Sequence, residues 1–281
     1  MSCMDVTGIK KGLTIGTSGW SYADDDGWKG IFYRSSTSML KQYLSYFDTA
    51  EINSTFYALP QPKFIRYLVE SVPDGKFFTA KLPRKVTHDT RLRLAGEGGD
   101  TLTRFHELMR PAKDKILVLL IQLPPWKMSS MGSLEQFFTA LDTDFRYAIE
   151  FRDKSWLKES TWNLLEDYGI AHVVVDEPKL PVDLRVTTDF SYIRWHGHGE
   201  KPWYRYLYDV DELEEWVPRV RALENQTESV LGYFNNHFHG NAPLNALQML
   251  SLIGQTNPKQ EMKLESMLAK KRVRQTSLED F

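Results

Sequence analysis

Short apolar runs alternate with amphipathic stretches along most of the chain, and the two have different periods. Residues 13–17, 77–81, 116–121, 147–151, 171–175, 192–195 and 230–234, with a further run ending at Glu51 or Asn53, are apolar with little alternation. Runs of this length without a polar face predict strands buried on both sides, as in parallel sheets. Between them, apolar residues recur at three- and four-residue spacing. Leu40, Tyr43, Leu44 and Phe47 share one helical face, and helices are predicted over about 61–71, 101–113, 133–141, 157–168, 211–223 and 242–253. Pro60 and Pro62 mark the entry to the second helix. A long connection follows residue 81 through Pro83, His88 and the Gly-rich stretch 96–99, and loops of that length are often functional. Residues 177–189 contain proline and show no helical period, so the crossover there is expected to be irregular.

Roughly eight strand–helix units in about 250 residues favour a single-domain α/β fold, a TIM (β/α)8 barrel, over an open doubly wound sheet. The barrel is expected to span 1–255. From Gly254 the composition turns charged and polar, so 256–281 reads as a short C-terminal helix and tail.

The strand ends carry chemistry that the strand bodies lack. Strand one ends in Thr17 and Ser18, strand two in Glu51 and Asn53, strand three in Lys81 and strand four in Gln122. Strand five ends in Glu150 and Arg152, strand six in Asp176, strand seven in Arg194 and His196, and strand eight in Asn235 and Asn236. On a parallel barrel these ends converge at the carboxyl face, where sites are built. Glu51, Glu150 and Asp176 are candidates for acid/base work, and Lys81 and Arg194 for binding a phosphate or carboxylate. Glu51, Lys81, Glu150, Asp176 and His196 are taken as the catalytic set. The three carboxylates with His196 could instead hold a divalent cation. The pairs His196/His198 and His237/His239 match no zinc-ligand spacing, so no metal ligand is assigned and the cofactor is left unknown. An inert polar network, Glu51 with Lys81 or Glu150 with Arg194, is the competing reading. His172 and His106 read as packing residues.

Composition narrows the classes. The chain has 281 residues, 42% of them hydrophobic, and a formal net charge of -2, which gives no bulk attraction to nucleic acid or membrane. No apolar run approaches the roughly 20 residues a membrane span needs. The single cysteine, Cys3, and the absence of an apolar segment at the start of the sequence lead us to expect a cytoplasmic protein. Aromatics make up 13%, with 8 Trp, many beside Gly, Pro and charge in the connections. Trp20, Tyr22, Tyr57 and Tyr206 are therefore expected as stacking contacts for sugars or unpaired bases. Ser18, Asn53, His88, Gln122, Arg152, Arg194, Asn235 and Asn236 are expected to supply polar substrate contacts.

Together these segments resemble the YecE-like family, the domain of unknown function numbered 72. The resemblance rests, in order, on Gly16-Thr-Ser-Gly-Trp-Ser-Tyr22, Glu51-Ile-Asn-Ser-Thr-Phe-Tyr57, Lys81, Thr87-His88 and Gln122-Leu-Pro-Pro125. It continues with Glu150-Phe-Arg152, Ser155-Trp156, Asp176, Arg194-Trp-His-Gly197, Phe234-Asn-Asn236 and Asn245-Ala246. It implies a TIM barrel near the xylose-isomerase and endonuclease-IV-like barrels and no established activity. The chain lacks the rich His and carboxylate set of such endonucleases, which speaks against a trinuclear zinc site.

At the end of the sequence Gln275, Leu278 and Phe281 stand three apart behind the basic run Lys270-Lys-Arg-Val-Arg274. A 3₁₀ turn would project them together. This resembles the PIP box of proteins that dock on a PCNA-type sliding clamp, with one terminal aromatic instead of two. Three functions stay open. The first is a hydrolase or lyase on a phosphate- or sugar-containing substrate, possibly nucleic acid, tethered to a clamp. The second is a non-catalytic nucleotide- or sugar-binding clamp adaptor. The third is a small-carbohydrate isomerase or hydrolase with an incidental tail.

Overall fold

The computed structural model describes residues 11–21, 28–199 and 204–279, with side chains to residue 271. Eight parallel strands close a barrel in sequence order, β8 pairing back onto β1. They are β1 (Gly12–Ser18), β2 (Thr49–Ile52), β3 (Phe77–Lys81), β4 (Ile116–Gln122), β5 (Tyr147–Glu150), β6 (Ala171–Asp176), β7 (Phe190–Trp195) and β8 (Ser229–Phe234). The outer helices are α1 (Met39–Leu44), α2 (Ser54–Tyr57), α3 (Pro62–Ser71), α4 (Glu97–Met109), α5 (Leu134–Thr139), α6 (Glu159–Asp167), α7 (Val210–Glu224), α8 (Asn241–Leu252) and α9 (Pro258–Glu279). The fold is the TIM barrel that the alternation of periods predicts. No helix among the described residues is long and apolar enough to cross a membrane.

Three local departures from the sequence reading have physical causes. Helix α4 starts at Glu97, four residues early, because Gly98 and Gly99 pack against the Arg93 and Leu94 carbonyls at positions no side chain could occupy. Lys85–Asp89 forms one π-helical turn inside the long connection and carries Thr87 and His88. Ser54–Tyr57 forms a single helical turn, closed by Thr55 Oγ1 donating to the Lys81 carbonyl at 2.7 Å. Between β6 and β7 the chain is irregular, as the proline-containing composition indicates.

The barrel interior is built in layers by the two-residue period of the strands. Phe77, Ala148, Ala171, Val173, Phe190 and Leu231 belong to one apolar cluster inside it. Above them Tyr192 and Tyr233 lie 5.0 Å apart between ring centroids. Their hydroxyls meet Thr79 Oγ1 at 2.9 Å and Thr49 Oγ1 at 2.7 Å. Two residues further along each strand stand Glu51, Lys81, Gln122, Glu150 and Arg194. Gly16 is fixed by close packing, since a Cβ there would fall 2.2 Å from the Thr49 carbonyl oxygen. The opposite faces of the strands pack on the helices as the larger core.

Helix α9 docks on this body. Met267 is fully buried, and Gln260 Nε2 donates to the Tyr46 carbonyl at 2.7 Å. Lys270 Nζ donates to the Gly30 carbonyl at 2.7 Å, and Lys271 bonds Asn241 Oδ1.

Candidate active site

At the carboxyl end of the barrel lies a cavity of about 590 Å³. Asn53, Tyr57, Lys81, His88, Gln122, Arg152, His196 and Asn235, all singled out from the sequence, line it. Phe56, Arg84, Tyr204, His237 and Phe238 complete the wall. Among the described residues, three cationic side chains and three histidines face the cavity and no carboxylate does.

Beneath this lining sits a buried ionic layer. Arg194 Nη2 donates to Glu51 Oε1 at 2.6 Å and lies 3.4 Å from Ser18 Oγ. Its Nη1 donates to Glu150 Oε2 at 2.5 Å and to Gln122 Oε1 at 3.1 Å. Glu51 Oε2 accepts from Tyr192 OH at 2.7 Å. Arg152 Nε bonds the other oxygen of Glu150, and its Nη1 bonds Glu177. Burial alone would raise the Glu150 carboxyl, but the flanking Arg152 and Arg194 hold it well below the ordinary carboxylate range. Glu51 and Glu150 have no exposed surface. The two carboxylates are thus charge partners of Arg194, one layer below the cavity. They are placed to position Arg194 and Arg152 rather than to exchange protons with a ligand.

Lys81 stands differently. Its Nζ donates to Gln122 Oε1 at 2.8 Å and lies 4.4 Å from the Phe56 ring centroid. Among the described residues no carboxylate pairs with it. Gln122 Oε1 accepts from both Lys81 and Arg194, so a neutral amide stands between the two cations. Burial, aided by the charge of Arg194, lowers the ammonium from 10.5 to about 7.

The imidazoles of His196 and His88 are held neutral. Burial, with Arg152 next, brings His196 down to about 3. Arg152 Nη2 lies 3.0 Å from His196 Nε2 and donates to it. The ring's one proton then sits on Nδ1, 2.8 Å from the side-chain amide of Asn235, whose two ends are interchangeable in shape. Burial, with Lys81 and Arg84 next, brings His88 to about 4. His88 Nδ1 meets Thr87 Oγ1 at 2.9 Å, which leaves Nε2 as the ring atom without a partner among the described residues.

Several sequence-chosen residues lie elsewhere. Asp176 faces the outer side of its strand, accepting from Tyr208 OH at 2.7 Å and pairing with His198 Nε2 at 2.8 Å. The cause is parity. Ala171, Val173 and Val175 point into the barrel, so the next inward residue is Glu177, which the sequence reading missed and which pairs with Arg152. Asn236 Nδ2 donates to the Tyr206 carbonyl at 3.0 Å and to Asn245 Oδ1 at 2.8 Å, pinning the β7–α7 connection. Tyr206 OH bonds Glu212 of the capping box that opens α7. Trp20 lines a smaller cavity of about 180 Å³, which shares Asn53 with the large one. Tyr22 and Phe281 lie outside the described residues, as do the side chains of Gln275 and Leu278. Among the described residues no group of three or more His, Cys, Asp or Glu side chains is arranged to hold a metal ion.

A family profile described as "Protein of unknown function DUF72" matches residues 14–269. The UPF0759 protein YunF of Bacillus subtilis is 27% identical over 272 residues, covering 86% of this chain and 94% of YunF. The UPF0759 protein YecE of Escherichia coli is 26% identical over 232 residues, covering 73% and 82%. Among solved structures, a DUF72 family protein from Thermotoga maritima superposes with a TM-score of 0.75 at 30% identity, over 86% of this chain and 99% of that one. The chain belongs to the DUF72 family.

Proposed function

We propose that this DUF72 member is a lyase that forms an imine through Lys81 with an anionic carbonyl compound, such as a sugar phosphate. The observation that carries the proposal is Lys81 itself, which lines the cavity bound to the neutral Gln122 and, among the described residues, to no carboxylate. An amine with a pKa of about 7 is about half free nucleophile at pH 7, where an ordinary lysine is almost wholly protonated. The lining of Lys81, Arg84 and Arg152, with no carboxylate among the described residues, suits a negatively charged substrate.

The Lys81 nitrogen adds its lone pair to the carbonyl carbon, and the carbonyl electrons go to oxygen. The carbinolamine loses that oxygen as water and leaves an iminium. The iminium acidifies the neighbouring C–H. His88 Nε2, neutral and without a protein partner, takes that proton, and the C–H electron pair forms an enamine. The enamine expels a leaving group from the next carbon, or, if none is present, takes a proton back. A bound anion offsets Lys81 and Arg84 and moves His88 back toward its ordinary basicity. Phe56 and Tyr57 supply an apolar wall beside the reacting amine.

The test is exchange of the α-hydrogen of an aldehyde phosphate, glycolaldehyde phosphate first, in deuterated buffer, followed by NMR. Exchange catalysed by the parent, lost in Lys81→Met and slowed in His88→Ala, supports the reading. Exchange at the uncatalysed rate across a set of aldehyde and ketone phosphates would refute it. We also propose that Gln275, Leu278 and Phe281 dock on a PCNA-type clamp. Their spacing supports this, together with the basic run Lys270-Lys-Arg-Val-Arg274 that precedes them.

A further inference from the structure

A second cavity, of about 380 Å³, lies on the flank of the barrel between the start of α5 and the start of α6. We infer that it is a binding site for a small amphipathic carboxylate, separate from the Lys81 cavity. Its apolar wall includes Met128, Met131, Leu134 and Trp156. Its polar end is the first turn of α6, a nine-residue helix with Lys158 at its N-cap and no side-chain cap on its amides. An uncapped first turn presents backbone N–H groups and the positive end of the helix dipole, which favour an anion. Lys158 lines the same end and has no carboxylate partner among the described residues.

The second, independent observation is Thr161. It lines the cavity, is 2% exposed, and its Oγ1 has no hydrogen-bond partner. A threonine in a helix ordinarily returns its hydroxyl to a carbonyl of the preceding turn. Thr161 N and Trp162 N donate to the Lys158 carbonyl, which leaves the Glu159 and Ser160 amides beside the unspent hydroxyl. A carboxylate at that end would therefore accept from Thr161, from those two amides and from Lys158 together. One oxyanion charge fits one lysine and one helix dipole. Glu135, also in the wall, opposes a more highly charged group. The apolar wall takes the tail. Contacts through Trp126 link the cavity's wall to His88 of the main site. Ser155 Oγ accepts from Met128 N at 2.9 Å, and Trp156 Nε1 donates to the Trp126 carbonyl at 3.2 Å. Trp126 in turn lies 6.2 Å from His88 between ring centroids.

The test titrates the intact protein with hexanoate, octanoate and phenylacetate by calorimetry, with hexanol and hexylphosphonate as arms for an uncharged and a more highly charged head. The expected result is saturable binding of at least one carboxylate below about 1 mM, at least tenfold weaker for the alcohol and phosphonate of matching tail. Thr161→Val should weaken that carboxylate at least tenfold while leaving the unliganded melting temperature equal or higher, because it removes an unpaired buried hydroxyl. Lys81→Met should bind it as the parent does, which separates this cavity from the main one whether or not imine chemistry occurs there. No saturable binding up to about 10 mM, equal binding by Thr161→Val, a lowered melting temperature in that variant, or loss in Lys81→Met would overturn the inference.

Discussion

Replacing Gln122 by glutamate tests how the site tunes its lysine. The change keeps the side-chain length and puts a negative charge on the atom that now accepts from Lys81 at 2.8 Å and from Arg194 at 3.1 Å. At an effective dielectric constant of about 20, a unit charge at that separation attracts the ammonium by roughly 6 kcal/mol. Desolvation of the new carboxylate and its competing pairing with Arg194 offset about half of that. The remaining ~3 kcal/mol raises the Lys81 pKa by ~2 units. At pH 7 the neutral fraction of the amine then falls from about one half to ~1%, a roughly 50-fold loss of nucleophile. Competitive acetylation across a pH series, read peptide by peptide in a mass spectrometer, reports this without any substrate. The parent's Lys81 labelling should rise with a midpoint near its value of about 7, and that of Gln122→Glu with a midpoint near ~9, converging in strong base. Circular dichroism and a melting curve check that the variant is folded. A folded variant with the parent's midpoint would refute the tuning argument.

Other substitutions have equally definite outcomes. Lys81→Met should raise stability at pH 7 by about 2–4 kcal/mol, measured by urea unfolding. The sign follows from the depressed lysine: between about 7 and 10.5 the unfolded chain binds the extra proton, so the parent gains stability as pH rises and the difference closes near 10.5. A difference that is flat with pH would contradict the lowered pKa. Glu150→Gln leaves Arg152 and Arg194 short of a counter-charge at a fully buried position, so a loss of about 3–5 kcal/mol is expected in the same assay. A neutral result would remove the structural role given to that carboxylate. A peptide of residues 268–281 should bind a PCNA-type clamp with micromolar affinity, and its Leu278→Ala, Phe281→Ala version should not. Equal binding of the two peptides would remove the clamp.

Much of this was legible in the chain because a barrel maps sequence position onto height. Apolar strand bodies ending in Glu51, Lys81, Gln122, Glu150, Arg194 and Asn235 state which rim carries chemistry, and those residues share one rim. What the pattern left open is direction and depth. Asp176 and Glu177 are neighbours on facing-away sides, and only the inward alternation from Ala171 tells them apart. Glu51 and Glu150 sit at the right height, yet Arg194 holds both below the cavity, and long-range pairing of that kind leaves no local mark. The wall residues Phe56, Arg84, Tyr204 and Phe238 come from connections, whose course no period sets. His88 reaches the site on a π-helical turn that the loop composition does not announce.

The central claim is that Lys81 is a neutral amine in a cavity built for an anionic carbonyl compound. Reductive trapping tests it most directly. The intact protein is incubated at neutral pH with glycolaldehyde phosphate and borohydride and then mapped by peptide mass spectrometry. The account predicts one dominant adduct, on Lys81, suppressed by excess inorganic phosphate and absent from Lys81→Arg. No adduct on Lys81, or labelling spread evenly over the surface lysines, would contradict it.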